Sequence, residues 1–315
     1  MLLTRRVLFV AGKGGVGKTS VACATAISRA RAGQRVLLAS TDPAHNLGHA
    51  WDLPLGDTPI RVLDLGRGAV DAVEIDPAAT VERHLAAIGE TMRRLLPERL
   101  HDAAHRHLEL ARQAPGTHES AVLERVADLV TDGLATYDAV VVDTAPTGHT
   151  LRLMVLPEQL VAWTESLLAN RDRAERFGAA LRGLGGAEGD VDRDADLRRV
   201  LVRRRQRFTR LREVVRDPEL AGFVVVLTAE RLPVAETLDL LTQLGELHIA
   251  VDRVVVNRRS PADAGPLLAD RRLLEDGHLA ALERARPDLP VVEVPLLPGD
   301  LVGPSGLGVV ADLLG

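Results

Sequence analysis

The stretch AGKGGVGKTS, residues 11–20, decides the fold. Within it, Gly12-Lys13-Gly14-Gly15-Val16-Gly17-Lys18-Thr19 satisfies the spacing GxxxxGK[ST]. An apolar run at Val7–Ala11 precedes it and a helical pattern at Lys18–Arg31 follows, the strand–loop–helix setting this spacing requires. Glycines let successive backbone N–H groups close on phosphate oxygens, and the helix N-terminus adds positive potential there. The expected phosphate cradle is Gly12, Gly14, Gly15, Val16, Gly17, Lys18, Thr19 and Ser20. Lys18 is expected on the β- and γ-phosphates of a nucleoside triphosphate, and the Thr19 hydroxyl on Mg²⁺.

Lys13 and Lys18 are the only lysines in the chain; every other member of the 39 basic Lys and Arg residues is arginine. Random placement of two lysines among those sites would fill this pair about once in 740 trials, so both positions read as ones arginine cannot serve. A compact ammonium on a flexible stem and a planar guanidinium fork have different uses.

Working outward, buried strands are expected at Val7–Ala11, Val36–Ser40, Ala139–Asp143, Gly222–Thr228, Val251–Val256 and Pro290–Pro295. They lack polar/apolar alternation, as expected when helices cover both faces of a parallel sheet. Helical patterns, such as Lys18–Arg31 and Pro233–Leu247, lie between them. The result is an α/β, doubly wound, mainly parallel sheet with ligands at the carboxyl ends of its strands. One nucleotide-binding domain is expected over 1–315, with an inserted α-helical subdomain from roughly 77–135 and 157–216. Asp76-Pro77 supplies a capping residue and a first-turn proline for its entry. Leu85, Ile88, Met92, Leu95 and Leu96 form one apolar stripe; Leu197, Val200, Leu201, Phe208, Leu211 and Val215 form another. These stripes read either as ordinary packing or as a groove for an apolar client. GLGGAEGDVDRDAD, 183–196, reads as a linker between them.

Composition narrows the function further. A net charge of −5 with pI near 6.1 gives no general attraction to nucleic acid or anionic membrane. The arginines at 198–216 have only one aromatic among them, Phe208, which belongs to the apolar stripe, so no interleaved aromatic array is present to stack bases. Aromatics are 2% of the chain, so a core drawn from 46% hydrophobic residues is aliphatic. The single cysteine, Cys23, cannot form an internal disulfide or a multi-cysteine metal site, and it reads as a packed thiol. The N-terminal apolar run is too short for a leader and no segment approaches a membrane span, so a soluble, cytoplasmic protein is expected.

Two further motifs carry chemistry. LLASTDPAHNLGHAW, 37–51, places Asp42 just past a strand, where a carboxylate can orient or deprotonate an attacking water; a loop or capping aspartate is the alternative. AVVVDTAPTGHTLRLMVLP, 139–157, ends a strand on Asp143, suited to holding Mg²⁺ through water, and continues in a loop able to sense a γ-phosphate.

GKGGVGKT resembles the deviant Walker motif of MinD, ParA, nitrogenase iron protein and ArsA-type ATPases. That resemblance implies that Lys13 reaches across a dimer to the partner's phosphates, much as an arginine finger does. STDPAHNLG and DTAPTGHTLRL together resemble the ArsA family, which holds arsenite-pump ATPases and the ATPases that target tail-anchored membrane proteins. VEIDP (73–77), VVVLTAERLPVAETLDLL (224–241) and VDRVVVNRRSP (251–261) extend the likeness over most of the chain. The resemblance implies ATP hydrolysis with Lys13, Lys18 and Asp42 catalytic, Asn257 on adenine, and Pro295 and Leu296 against the base. Without it, Asn257 could equally be a turn residue. It also implies a nucleotide-switched dimer, with itself or with a paralogue. Three departures stand out. Segment 258–290 has no cysteine for a shared zinc, so no zinc is expected. Cys23 alone cannot bind a soft metalloid. Only Met1, Met92 and Met154 exist to adapt a client groove. The expected output is carriage or targeting of a hydrophobic, tail-anchored-like protein segment. The alternatives are an ATPase subunit energising anion or metalloid transport, or a regulatory ATP switch for a protein partner.

Overall fold

The computed structural model describes residues 5–42, 46–95, 101–112, 117–144 and 191–315. The elements are β1 (Val7–Ala11), α1 (Lys18–Arg31), β2 (Arg35–Ser40), α2 (Asn46–Trp51), β3 (Ile60–Asp64), β4 (Ala69–Glu74), α3 (Pro77–Leu95), α4 (His101–Arg112), α5 (Thr117–Thr136) and β5 (Ala139–Asp143). There follow α6 (Val191–Arg216), β6 (Ala221–Thr228), α7 (Arg231–Glu246), β7 (Val251–Arg259), α8 (Pro266–Ala285), β8 (Val291–Pro295) and α9 (Gly303–Leu314). The described residues of Met1–Asp76, Leu129–Arg152 and Glu213–Gly315 form one compact unit, and those of Pro77–Asp128 and Leu153–Arg212 a second.

In the first unit eight strands make one sheet in the order β3-β4-β2-β5-β1-β6-β7-β8. Every neighbouring pair is parallel except the β3–β4 edge. β1, β5 and nearly all of β6 are fully buried, which is why their sequences are unbroken apolar runs. β3 and β4 are the two strands the periodicity did not reveal. β3 is a short, half-exposed edge, and β4 is interrupted by Asp71, which accepts hydrogen bonds from Arg61 and from the Tyr137 hydroxyl at 2.8 Å. An antiparallel edge strand needs only one apolar face, so it leaves little trace in a five-residue window.

The core is aliphatic, as composition requires. Small residues on α1, including Ala22, Cys23, Ala26 and Ala30, share one buried cluster with Leu307, Val310, Ala311 and Leu314 of α9. Phe9 and Phe223, paired in register on β1 and β6, stack at 5.2 Å between ring centroids. Cys23 is fully buried, and burial pushes its thiol well above the ordinary range.

In the second unit, α3 begins at Pro77 as its cap signal predicts. Leu85 is buried with Val81 and Ala121, against Leu108, and Phe208 and Leu211 are also buried. At these positions the apolar stripes are packing surface. The side chains of Ile88, Met92, Leu95, Leu197, Val200 and Leu201, and residue Leu96, lie outside what is described. One expectation changes: Val191 to Asp196, read as linker, is the start of α6. Aspartates in a first helical turn are favoured by the helix dipole, so an Asp-rich run starts a helix as readily as it breaks one.

Candidate functional site

In a doubly wound sheet, the carboxyl ends of strands flanking the point where connections change direction form the ligand crevice. Here that point is β1, flanked by β5 and β6. The loop after β1, Asp42 after β2, Asp143 ending β5 and Asn257 in β7 all belong to this edge.

The loop's shape depends on glycine at two close approaches. A Cβ at Gly12 would lie 2.1 Å from the Val226 carbonyl oxygen, and one at Gly17 would lie 2.2 Å from Asn257 Nδ2. Both glycines also have positive φ, 151° and 96°. Val16 is buried beneath the loop, and Lys18 starts α1 with Nζ donating to the Lys13 carbonyl at 3.0 Å. Burial lowers the Lys18 pKa below the ordinary lysine value, against the opposing charges of Asp143 and Asp42.

Asp143 is fully buried, and Oδ2 accepts from the Thr19 hydroxyl at 2.8 Å and the Ser40 hydroxyl at 3.3 Å. Its Oδ1 is buried without a hydrogen-bond partner among the described residues. Burial raises the Asp143 pKa to about 7, although the Thr19 bond and the Lys18 charge oppose the rise. A buried carboxylate with one unused oxygen, beside a hydroxyl that is itself a hard ligand, fits a hydrated Mg²⁺. Thr19 and, through water, Asp143 are the residues that would hold it.

Asp42 leaves β2 with its backbone N–H donating to Ser40 Oγ at 3.2 Å, and its carboxylate accepts from Asn46 Nδ2 at 3.4 Å. The short helix α2 is capped by Glu74, whose Oε1 accepts the Leu47 N–H at 2.9 Å. Lys13 Nζ lies 2.9 Å from Glu236 Oε1 on α7. Asn257 Nδ2 donates to the Val16 carbonyl at 2.9 Å, and the next residue, Arg258, donates from Nη1 to the Gly15 carbonyl at 3.2 Å. Pro295 pairs in register with Arg259, two residues beyond Asn257, and Leu296 is half exposed beside it.

Thus Gly12, Lys13, Gly15, Val16, Gly17, Lys18, Thr19, Asp42, Asp143 and Asn257 sit on one connected set of contacts. Gly14 and Ser20 lie within the same loop-to-helix segment, and Pro295 and Leu296 lie at the same sheet edge. The expected γ-phosphate-sensing loop after Thr144 lies outside the described residues. Sequence reasoning missed Ser40, Glu74, Glu236 and Arg258. Only Arg258 left a signal there, a cation directly after the expected base-reading asparagine. Among the described residues no three His, Cys, Asp or Glu side chains converge as a metal site, and no helix is long and apolar enough to cross a membrane.

The fold and loop together define a P-loop nucleotide-binding protein of the mainly parallel α/β class. Residues 5–315 match the profile of the anion-transporting ATPase family. The chain is 34% identical over 305 residues to the arsenical pump-driving ATPase of Acidiphilium multivorum, and 33% over 307 residues to that of Escherichia coli. Each match covers 95% of this chain but 48% of the relative, so the chain spans about half the length of these pump ATPases. It is 31% identical over 309 residues to the ATPase get3 of Schizosaccharomyces japonicus, covering 98% of this chain and 91% of the relative. The chain belongs to the ArsA family of ATPases.

Proposed function

We propose that the protein is a Mg²⁺-dependent ATPase that works as a nucleotide-switched dimer and carries a hydrophobic protein segment. The observation that supports it most directly is the cluster Lys18–Thr19–Asp143–Asp42 beneath a glycine loop whose only extra cation is Lys13. Bound ATP is held by loop amides and Lys18, and Asn257, Pro295 and Leu296 receive the adenine. Thr19 and, through water, Asp143 would hold Mg²⁺, which would neutralise phosphate charge when bound. Asp42 orients the attacking water and accepts its proton, while its N–H bond to Ser40 ties that loop to the group holding Asp143. Lys13 completes the site of a second copy, adding charge where the transition state develops it.

Within the family resemblance, a chain with a single cysteine leaves carriage of an apolar client as the first reading. A second reading, energising anion or metalloid transport, is favoured by the names of the pump-driving relatives. The burial and raised thiol pKa of Cys23 count against metalloid binding through that residue, because the thiolate is the ligand.

The deciding experiment uses purified protein with Asp42→Asn, loaded with ATP, and a model protein ending in an apolar helix. A complex in the ATP state that dissolves in ADP is expected. No complex in any nucleotide state, together with ATPase stimulation by arsenite or antimonite, would replace the first reading with the second.

A further inference from the structure

Arg258 stands apart from the arginines around it. Arg259 is buried and paired with Glu275 at 2.6 Å, Asp276 at 2.5 Å and Glu293 at 3.1 Å. Arg271 pairs with Glu230 and Glu275, and Arg272 with Asp276 and Glu293. Arg258 is exposed, and among the described residues its guanidinium meets a carbonyl, that of Gly15, with no carboxylate in ion-pair range. A cation beside a polyanion site with no acidic partner is poised for a ligand.

Its backbone is also unusual. Arg258 has φ 57°, in the left-handed region, and the β7–β8 register shifts between Val256 and Arg259. A non-glycine residue held there is strained, and such strain persists where surrounding structure enforces it, often at functional sites. An irregularity of this kind re-aims a side chain. Here Asn257 Oδ1 accepts the Arg258 N–H at 3.0 Å, fixing the turn, and the guanidinium folds back onto the loop.

The two contacts define which side of the loop Arg258 occupies. In a phosphate-binding loop the N–H groups converge on the anion and the carbonyls between them face away. The carbonyls of Gly15 and Val16 are both taken by the end of β7, through Arg258 and Asn257. That flank of the loop therefore faces β7, outside the cradle. Arg258 is placed next to the base-reading side chain rather than among the phosphate ligands.

We propose that Arg258 is a nucleoside-binding residue: with nucleotide bound, its guanidinium covers the base face and ribose while still holding the Gly15 carbonyl, so that base recognition and loop geometry are coupled. The inference rests on the nucleotide site described above. A guanidinium has the flat, weakly hydrated surface suited to stacking on a base, and its spare N–H groups suit ribose oxygens. One strand end then reads the nucleoside twice, through the Asn257 edge and the Arg258 face.

The test compares Mg²⁺-ATP with Mg²⁺-tripolyphosphate binding by calorimetry on the full chain, Arg258→Ala and Arg258→Gly. Both variants are expected to bind ATP about tenfold more weakly, while tripolyphosphate affinity stays within about twofold. Arg258→Gly should also raise the thermal midpoint, because glycine accepts the left-handed backbone. An equal loss for both ligands would mean that the contact only shapes the loop, and unchanged ATP affinity would mean no contact; either overturns the proposal. A wild-type chain that binds neither ligand, or a Lys18→Ala variant unchanged in both, overturns the site reading and the Arg258 role with it.

Discussion

Lys13 pairs with Glu236 at 2.9 Å inside its own chain, with both side chains about one-third exposed. An ion pair this open contributes about 0–1 kcal/mol, so it orients Lys13 without a large barrier to release. A lysine held this way is compatible with duty toward a second subunit.

The proposed duty toward a second subunit has a sharp consequence when two defective chains are mixed. Lys13→Ala and Asp42→Asn should each be nearly inactive alone. In an equal mixture, half the dimers are mixed, and each mixed dimer holds one site with its own Asp42 and its partner's Lys13. Recovery of roughly a quarter of wild-type turnover is expected for a lysine acting in trans, and none for one acting in cis. Lys13→Arg should lose most hydrolysis while retaining ATP binding, since the fork does not reproduce the point charge. Steady-state turnover beside nucleotide titration checks this.

Asp143 predicts a pH effect in the protein without nucleotide. Burial lifts its pKa from 3.8 to about 7, so the folded state binds more protons than the unfolded state between those values. Its contribution to stability is therefore full below pH 3.8 and is lost as pH rises toward about 7, with a slope of at most about 1.4 kcal/mol per pH unit. Asp143→Asn should be the more stable protein at pH 8, with the gap closing toward pH 4, yet hydrolyse no ATP. Urea denaturation across that range, compared with wild type, gives the difference directly.

The Arg259 cluster should carry structure rather than chemistry. Its guanidinium is buried against Glu275, which also accepts from the Ser260 N–H at 3.1 Å and hydroxyl at 2.7 Å. Removing Arg259 takes one of two cations from buried Glu275, with Arg271 remaining at 3.1 Å, so Arg259→Ala should lower the denaturation midpoint through the loss of a charged hydrogen bond worth about 1.5–3 kcal/mol. Gly12→Ala is expected to be comparably damaging, because the new Cβ meets a main-chain carbonyl of β6 that cannot swing aside.

With no cysteine in 258–290, the proposed dimer is expected to form without a zinc held by cysteines of that segment. A zinc-selective chelator should leave the sedimentation profile unchanged, and dissociation would show that metal bridges the subunits by other ligands.

The sequence by itself determined the loop, six of the eight strands and the positions of Thr19, Asp42 and Asp143. These features are local: a glycine pattern between strand and helix, or a carboxylate at the end of an apolar run, encodes its own backbone geometry within a few residues. The two strands at the β3–β4 edge escaped because one is half exposed and the other carries an aspartate serving distant partners. Only the tertiary structure decided which side chains meet across long separations. Lys13 finds Glu236 over 223 positions and Arg258 finds Gly15 over 243. Neither contact has a spacing to recognise, because each arises from strand order in the sheet rather than from neighbouring residues. The opening lysines show the division well. Composition marked both as chemical, but only the fold shows Lys18 turned into its own loop and Lys13 turned out toward α7.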